Sequence, residues 1–456
     1  MSITIGLLTL IGVQAVPSFE VGYAQVDITP PLGGSMPGYF HDRLSTGVLD
    51  PLLAKVLVLR QRETTLAIVA CDLIGLEAPE VQKIRAAIGD RTGIPADHIL
   101  VHSTHTHTGA ALPDRFTSDA EELSPDFHIG QVNREWLDNL PTRIATCVAE
   151  AVAKCAPQTS IRLATGTQDK VAFIRRYLMR DGSIRTNPGR GNPDIVRPVG
   201  TIDPKIRILC FEPAKVLLVN YALHLDCIGG TQHSADFPYH LTEAIRESMG
   251  AEWNVVFLNG CCGNINHIDV KNVGQKSGYE ESRRIGRELA GATVQALKTS
   301  EFLEIDSLDA RTRVVGCKLR EIPPEVRDQA AREIQEGVDF AKKNFNEPHV
   351  AAAYVLSRTR DRTHPAEVMA MRIGPVGLVG LPAEVFVEIS KQIQTSSPLD
   401  PTLVCELANG CMGYVPHYVG YAEGGYEANY ISARYAPGTG EEWAAAAIGL
   451  CREMRP

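Results

Sequence analysis

Two histidines, His105 and His107, lie in the segment Ile99-Leu-Val-His-Ser-Thr-His-Thr-His-Thr-Gly109. The apolar start of this segment predicts a β-strand, and on an extended strand the side chains of residues i and i+2 point to the same face. Neutral imidazole is a good ligand for zinc, so the pair predicts a metal site at the end of this strand. The alternative interpretation is a pair of solvated polar residues in a loop.

Other residue types that bind metals also follow apolar, strand-like runs. His224 follows the run 216–221, Asp72 closes the run 65–70, and Glu384 lies where a strand is predicted to lead into a helix. A carboxylate at the start of a helix is favoured by the helix dipole. Functional side chains of α/β folds gather at strand ends, so we expect these residues to share one site with the histidine pair. A single buried histidine, taken alone, is more often a core residue than a ligand.

Tyrosines lie in two glycine-rich loops near the end of the chain. Tyr414 ends the segment 409–414, and Tyr426 lies in the segment 424–427. Glycine-rich loops allow a side chain to approach a site closely, which makes both tyrosines candidates for the same site. The alternative is that each ring covers apolar surface as a lid.

The elements that must position these residues alternate between strand-like and helix-like patterns. Buried strands are predicted from continuous apolar runs at 55–59, 65–70, 206–211, 216–221 and 376–381. Helices are predicted from periodicity at 79–89, 135–154 (with a kink at Pro141), 238–249, 279–297, 325–345 and from about 385 to 394. The pattern predicts an α/β fold with mixed β-sheets flanked by α-helices, most simply in one domain. A second domain after about residue 305 stays open.

The composition is that of an ordinary globular protein with a sizeable core. The 456 residues are 44% hydrophobic and 22% charged, with a formal net charge of −9 and no cluster of Lys or Arg. This charge balance argues against a nucleic-acid partner. The 11 cysteines are scattered singly apart from Cys261-Cys262, so we predict neither a disulfide framework nor a zinc finger.

The N-terminal segment 1–15 is apolar and ends in Val13-Gln14-Ala15, which fits a signal-peptidase site. We therefore expect export to the periplasm or secretion, although no Lys or Arg precedes the apolar run, and a cytoplasmic protein is the alternative. The segment is too short for a permanent membrane anchor, and no other apolar stretch is long enough to span a membrane.

Several ordered motifs resemble those of one family of enzymes. They are Val26-Asp-Ile-Thr29 with Gly38-Tyr39, Thr104-His-Thr-His-Thr-Gly109, Ile174-Arg-Arg-Tyr-Leu178, Ala222-Leu-His224, Pro382-Ala-Glu384, and Tyr414 with Tyr426-Glu427. In these motifs the chain resembles the catalytic domain of the neutral, non-lysosomal ceramidases, which are zinc amidases that cleave N-acylsphingosine. The resemblance implies a ceramidase-like metal hydrolase domain over residues 21–456.

The resemblance also implies a set of metal ligands and catalytic residues. By position in the motifs, the Zn²⁺ ligands are His105, His224, Glu384 and Tyr414. His107 corresponds to a residue beside the metal-bound water, Arg175 to an arginine that contacts substrate, and Tyr426 to a second tyrosine of the site. We predict that the metal-bound water attacks the carbonyl carbon, that His107 is general base and then proton donor, and that Tyr426 or Arg175 stabilises the oxyanion. For Arg175 a surface salt bridge is an equally good interpretation.

The sequence departs from the family pattern in the segment 259–267. The position of the family's serine in its Gly-Asp-x-Ser-Pro motif falls on Asn266, and the proline falls on His267. Asparagine cannot accept an acyl group, so a covalent serine route is closed. We interpret Cys261 and Cys262 as packing residues, and we expect Asn264, Asn266 and His267 to contact a polar substrate. The resemblance does not extend to the family's C-terminal immunoglobulin-like domain.

Together these features predict a zinc-dependent hydrolase that cleaves an amide bond. The substrate is expected to be a small or lipid-like molecule, such as an N-acyl amine or a sugar-like amide, rather than ceramide. One alternative is a metal-dependent ester or lactone hydrolase. Another is a non-catalytic carbohydrate- or lipid-binding protein on the same fold. Two imidazoles favour zinc, although oxygen ligands also admit other divalent ions. The sequence does not indicate an oligomeric state.

Overall fold

A computed structural model of the chain describes residues 19–39, 43–110, 112, 132–158, 160–337, 347–358 and 363–455. The predicted signal peptide lies outside these residues. Within the described part of the chain, no helix is long and apolar enough to cross a membrane. All eleven cysteines are described and free, which confirms that the chain has no disulfide framework.

The described strands form three large sheets and several small ones. In chain order the strands are β1 Glu20–Asp27, β2 Gly47–Val48, β3 Leu53–Gln61, β4 Thr64–Cys71, β5 Ile99–Ser103, β6 Ala156–Pro157, β7 Ile161–Thr167, β8 Phe173–Ile174, β9 Arg176–Met179, β10 Ile184–Thr186, β11 Ile195–Pro198, β12 Lys205–Phe211, β13 Val216–Tyr221, β14 Gln232–His233, β15 Asn254–Asn259, β16 Ile265–Asn266, β17 Glu301–Phe302, β18 Leu308–Lys318, β19 Thr363–Ile373, β20 Val376–Gly380, β21 Glu384–Val385, β22 Thr402–Cys405 and β23 Tyr414–Val415.

The described α-helices lie mostly outside the large sheets. They are α1 Ala78–Thr92, α2 Arg134–Ala153, α3 Phe237–Met249, α4 Tyr279–Leu297, α5 Pro324–Gln335, α6 Pro348–Arg358, α7 Val387–Ser396, α8 Tyr418–Glu423 and α9 Thr439–Glu453. The large sheets have the strand orders β5-β4-β3-β1-β6, β15-β13-β12-β7-β17 and β18-β19-β20-β22. The predicted α/β fold with mixed sheets and flanking helices is therefore confirmed.

Each large sheet contains one parallel pair of strands, at one edge, joined by a helical crossover. The units are β4-α1-β5, β13-α3-β15 and β20-α7-β22, and the remaining neighbours in these sheets are antiparallel. Parallel strands require such a crossover because the chain must return to the same end of the sheet. The carboxyl end of each parallel strand then leads into a loop, and these loops supply the candidate site.

The three sheets pack on one another around a single central core. Leu57 of β3, Leu209 of β12 and Met371 of β19 belong to this core, together with residues of most other strands of the three sheets. The outer face of each sheet is covered by a pair of helices: α1 with α2, α3 with α4, and α7 with α9. Burial on both faces explains why β3 reads as a continuous apolar run rather than an alternating one.

Some predicted element boundaries were wrong. The helix predicted at 79–89 continues to Thr92 and ends at Gly93, whose φ of 75° gives the left-handed C-cap. The helix predicted at 325–345 ends at Gln335, and residues 338–346 lie outside the described part. The helix predicted to follow Glu384 directly begins only at Val387, because Glu384 belongs to the short strand β21.

Candidate metal centre

His105 lies in the loop that follows β5 and is buried. Its backbone has a φ of 81°, and its N–H donates to the carbonyl of Leu73 at 2.9 Å. The prediction that the two histidines lie on an extended strand is therefore wrong, because β5 ends at Ser103 and the loop turns at His105. The left-handed conformation is costly for a residue with a Cβ and is retained where the surroundings fix it, often at functional sites.

His107 lies two residues further along the same loop and is half-buried. Its N–H donates to Leu225 O at 3.1 Å, and its ring Nδ1 lies 3.1 Å from Gly38 O. Gly38 has a φ of +96°, and a Cβ at this position would lie 2.6 Å from the Nδ1 of His107. Glycine at position 38 thus allows the backbone to approach the imidazole and hold it.

His224 follows β13 and is fully enclosed. Its Nδ1 faces the thiol of Cys262 at 3.6 Å, and that thiol donates to Glu406 Oε1 at 2.9 Å. Glu406 directly follows β22, and its other oxygen accepts the N–H groups of Cys262 and Val385. Burial raises the pKa of Glu406 to about 8. Loops from the second and third sheets therefore meet behind His224.

The Nε2 atoms of the three histidines converge on one point. His105 Nε2 lies 3.0 Å from His224 Nε2 and 3.4 Å from His107 Nε2. Oε2 of Glu384 lies 3.2 Å from His105 Nε2 and 3.8 Å from His224 Nε2. Tetrahedral ligands at about 2.0–2.1 Å from an ion such as zinc are about 3.3 Å apart, so atoms at these separations could hold a metal ion.

Glu384 and Tyr414 are placed side by side by the parallel pairing of β21 with β23, in which they are direct partners. The N–H of Glu384 donates to Gly413 O at 2.9 Å, and the phenol of Tyr414 hydrogen-bonds to the Glu384 carboxylate. A Cβ on Gly263 would lie 2.7 Å from Glu384 O, so glycine at this position allows the loop after β15 to pack directly on the Glu384 backbone.

Burial opposes charge throughout the centre. It lowers the pKa of His107, with the help of the nearby His105, to about 4. The pKa of His224 is also lowered by burial and by the positive charge of Arg175. Between His105 and Glu384 mutual attraction outweighs burial, so the pKa of the imidazole is raised and the pKa of the carboxyl is lowered. The centre therefore disfavours charge on His107 and His224, while His105 and Glu384 attract each other.

The donor atoms fit a divalent metal ion. The Nδ1 atoms of His105 and His107 face the backbone carbonyls of Ile74 and Gly38, which assigns the proton to Nδ1 and leaves Nε2 with a free lone pair. This is the usual arrangement of metal-binding histidines. Oε2 of Glu384 is buried and accepts no aligned hydrogen bond from the described residues. His105, His107 and His224 together form the described His/Cys/Asp/Glu group that could hold a metal.

Arg175 and Tyr426 lie beside Tyr414. The guanidinium of Arg175 is 5.3 Å from the centre of the Tyr414 ring, and the rings of Tyr414 and Tyr426 are 5.6 Å apart. Arg175 is 4% exposed and pairs with the buried Glu427 at 2.8 Å, so the alternative of a surface salt bridge is wrong. The ion pair is internal and lies next to the candidate ligands.

The polar residues of the segment 259–267 are held by the protein itself. Asn264 donates to Glu388 at 2.9 Å and accepts the N–H of Val387 at 3.0 Å. Asn266 donates to Asn187 at 2.6 Å. These bonds serve to join loops, and substrate contact by the asparagines stays a prediction.

His267 is the third residue of this segment that was expected to contact substrate. Its Nδ1 lies 2.9 Å from Asp226 Oδ1, and Asp226 is two residues beyond His224. Substrate contact by His267 also stays a prediction.

For two acidic residues at strand ends the structure differs from the sequence-based prediction. Asp72 is not among the converging groups, because its oxygens accept the N–H of Leu53 at 2.9 Å and the hydroxyl of Thr104 at 3.1 Å. It fixes the loop that carries His105. Glu406 was not predicted, although it carries the same signal as the residues that were, namely an acidic residue directly after a buried strand.

Comparison with known proteins gives matches in structure only. No protein-family model and no curated protein matches the sequence. Neutral ceramidase from Pseudomonas aeruginosa superposes with a TM-score of 0.70 at 18% identity, over 96% of this chain and 75% of that chain. A structure of a ceramidase complexed with C2 gives a TM-score of 0.72 at 17% identity, over 96% and 76%.

The chain has a ceramidase-like fold. This confirms the family resemblance seen in the ordered motifs, at the level of the fold and over nearly the whole chain. The fold shared with the ceramidases carries, in this chain, a buried group of three histidines that could bind a metal.

Proposed function

We propose that this protein is a zinc-dependent hydrolase that cleaves an amide bond. The observation that carries the proposal is the convergence of three imidazole Nε2 atoms and one carboxylate oxygen at the ends of parallel strands, with His105 Nε2 lying 3.0–3.4 Å from each of the other three atoms. Mixed nitrogen and oxygen donors with at least two imidazoles favour zinc among the common divalent ions. The ceramidase-like fold supports hydrolysis of an amide rather than another reaction.

The proposed ligands are His105, His224 and Glu384. Tyr414 lies beside them and hydrogen-bonds to Glu384. When bound, a zinc ion in such a site lowers the pKa of a coordinated water and supplies a nucleophile near neutral pH. His107 is the most exposed of the three converging histidines, and we assign it the role of accepting and returning a proton. Its hydrogen bond to Gly38 O orients the ring so that Nε2 faces the centre.

We assign to Arg175 the role of stabilising the negative charge that develops on the amide oxygen. An amide carbonyl that is attacked develops negative charge on its oxygen, and fixed donors or cations near that oxygen stabilise the transition state. The Arg175 guanidinium is held by Glu427 and by Gly263 O, at 2.8 Å each, so it needs no reorganisation during the reaction. The phenol of Tyr426, whose ring lies 5.6 Å from that of Tyr414, is a second candidate donor to this oxygen.

Metal content is the first test of this proposal. The purified protein, refed with zinc and dialysed, should contain about one zinc per chain by elemental analysis. The variants His105→Ala and Glu384→Gln should lose the metal, whereas His98→Ala should keep it, because His98 lies outside the centre and faces Thr65 O. No bound metal in the wild type after refeeding would overturn the proposal.

The variant His107→Ala separates the ligand role from the proton-transfer role. If His107 transfers protons, this variant should keep its zinc and lose most of its activity on matched amide and ester substrates. Loss of zinc from His107→Ala to the same extent as from His105→Ala would instead place His107 among the ligands and refute the role assigned to it. Turnover of the ester alone would refute amide cleavage.

A further inference from the structure

A large cavity opens beside the candidate metal centre. Its volume is about 670 Å³, which is within the range of small-molecule sites, and Tyr426 forms part of its wall. The ring of Tyr426 lies 5.6 Å from the ring of Tyr414, whose phenol hydrogen-bonds to Glu384. Tyr426 therefore lies both in the wall of the cavity and next to the candidate ligands.

The wall of this cavity is positively charged. Among the described residues it contains Arg185 and Arg320 and no acidic residue, together with apolar groups such as Val326 and Pro348. Arg185 is exposed and pairs with Asp181, which is itself half exposed, so this ion pair is weak and can rearrange. Arg320 is the better-defined cation of the two.

Arg320 is fixed in place without a carboxylate partner among the described residues. Its guanidinium stacks 4.5 Å from the ring centre of Tyr430 and 5.4 Å from that of Tyr421. Its Nη1 donates to Ala428 O at 2.6 Å, and the other guanidinium N–H groups have no acceptor among the described residues. Stacking on two rings pre-organises the planar group and leaves donors for a ligand. Other half-buried or buried arginines, such as Arg175 and Arg372, do pair with carboxylates.

These observations select the chemistry of the ligand. An uncharged lipid amide in the cavity would leave the Arg320 guanidinium, which lies next to the apolar part of the wall, without a counter-charge. A carboxylate matches the paired N–H groups of arginine and forms the strongest hydrogen bonds available to it. The apolar wall and the ring of Tyr430 suit an apolar or aromatic side chain carried next to the carboxylate.

We propose that this cavity binds the carboxylate of the substrate through Arg320, and that the substrate is an N-acyl amino acid. The hydrolysis of such a substrate rests on the proposed function, whereas its binding does not. Arg320 then sets specificity and takes no part in bond cleavage, because it does not belong to the group of converging donor atoms.

Binding to the metal-free protein tests the subsite separately from catalysis. The probes are N-acetyl-phenylalanine and its uncharged carboxamide, N-acetyl-phenylalaninamide, titrated by calorimetry. The wild type should bind the carboxylate at least about tenfold more tightly than the carboxamide, since a hydrogen bond to a charged group contributes that much or more. The variant Arg320→Gln should lose this preference, and Arg320→Lys should keep only part of it.

A surface arginine outside the cavity provides the matched control. Arg180→Gln should leave the preference for the carboxylate unchanged, because Arg180 is exposed and does not line this cavity. Equal binding of the two probes to the wild type, or an unchanged preference in Arg320→Gln with a native circular dichroism spectrum, would overturn the subsite.

Hydrolysis of the same probes by the zinc-loaded protein completes the test. In Arg320→Gln the kcat/KM for the carboxylate should fall about 10- to 100-fold through KM, and the value for the carboxamide should stay the same. If the carboxylate binds selectively but neither probe is hydrolysed, the amidase proposal fails and the subsite stands. Hydrolysis of both probes with equal kcat/KM would refute the subsite and leave the amidase proposal intact.

Discussion

Replacing Glu427 with glutamine should destabilise the folded protein by about 3–5 kcal/mol. The carboxylate of Glu427 is fully buried and lies between two arginines. Its Oε1 accepts Arg175 Nε at 2.8 Å, and its Oε2 accepts the hydroxyl of Thr186 at 2.7 Å and lies 3.6 Å from Arg176 Nε. The side chains of the two arginines are only 5% and 1% exposed.

The magnitude follows from what the substitution leaves behind. Glutamine keeps the volume of Glu427 but removes its charge, so the buried Arg175 guanidinium loses its carboxylate. Breaking a buried ion pair from one side costs about 3–5 kcal/mol, because the remaining charge is uncompensated. Arg176 retains Glu423 at 3.3 Å, so its share of the loss is small.

Equilibrium unfolding in urea, followed by circular dichroism, measures this loss. The matched control is Glu423→Gln, which removes a carboxylate that is 24% exposed and should cost less than about 1 kcal/mol. Adding Arg175→Met to Glu427→Gln should recover part of the stability, because no buried charge then remains. A loss below about 1 kcal/mol for Glu427→Gln, or a loss equal to that of the control, would refute the reasoning.

Three further predictions concern the groups around the histidines. Removing the thiol that faces His224, in Cys262→Ala, should weaken zinc binding about 10- to 100-fold in a chelator competition, as loss of a group that orients a ligand usually does, while Cys261→Ala should not. Burial lowers the pKa of His102 to about 4, so the unfolded chain binds a proton on this imidazole more tightly than the folded chain does. The protein should therefore lose up to about 3 kcal/mol of stability as the pH falls from about 6.5 to about 4. Urea unfolding of His102→Gln should show a smaller loss over that range, and a loss identical to that of the wild type would contradict the prediction. Gly38→Ala should lower the melting temperature and displace the imidazole next to it, because the added Cβ meets the ring at 2.6 Å and the φ is +96°; an unchanged melting temperature and unchanged activity would show that the loop gives way.

The sequence by itself determined the elements and most of the residues that meet at the centre. Continuous apolar runs such as 55–59 and 216–221 predicted buried strands, because burial on both faces selects apolar residues at every position. The residue types at the ends of those runs then predicted His224 and Glu384 as ligand candidates. These are local properties, since the chemistry of a side chain and the period of a strand do not depend on distant parts of the chain.

Only the tertiary structure decided how those residues meet. It placed His105 in a turn with positive φ rather than on a strand, because the loop must bend to reach the strand ends of the other two sheets. It also brought Glu406 and Cys262 behind His224, from loops about 140 residues apart in the chain. The packing of three sheets on one central core decides which strand ends are neighbours, and this long-range packing leaves no periodic signal in the sequence.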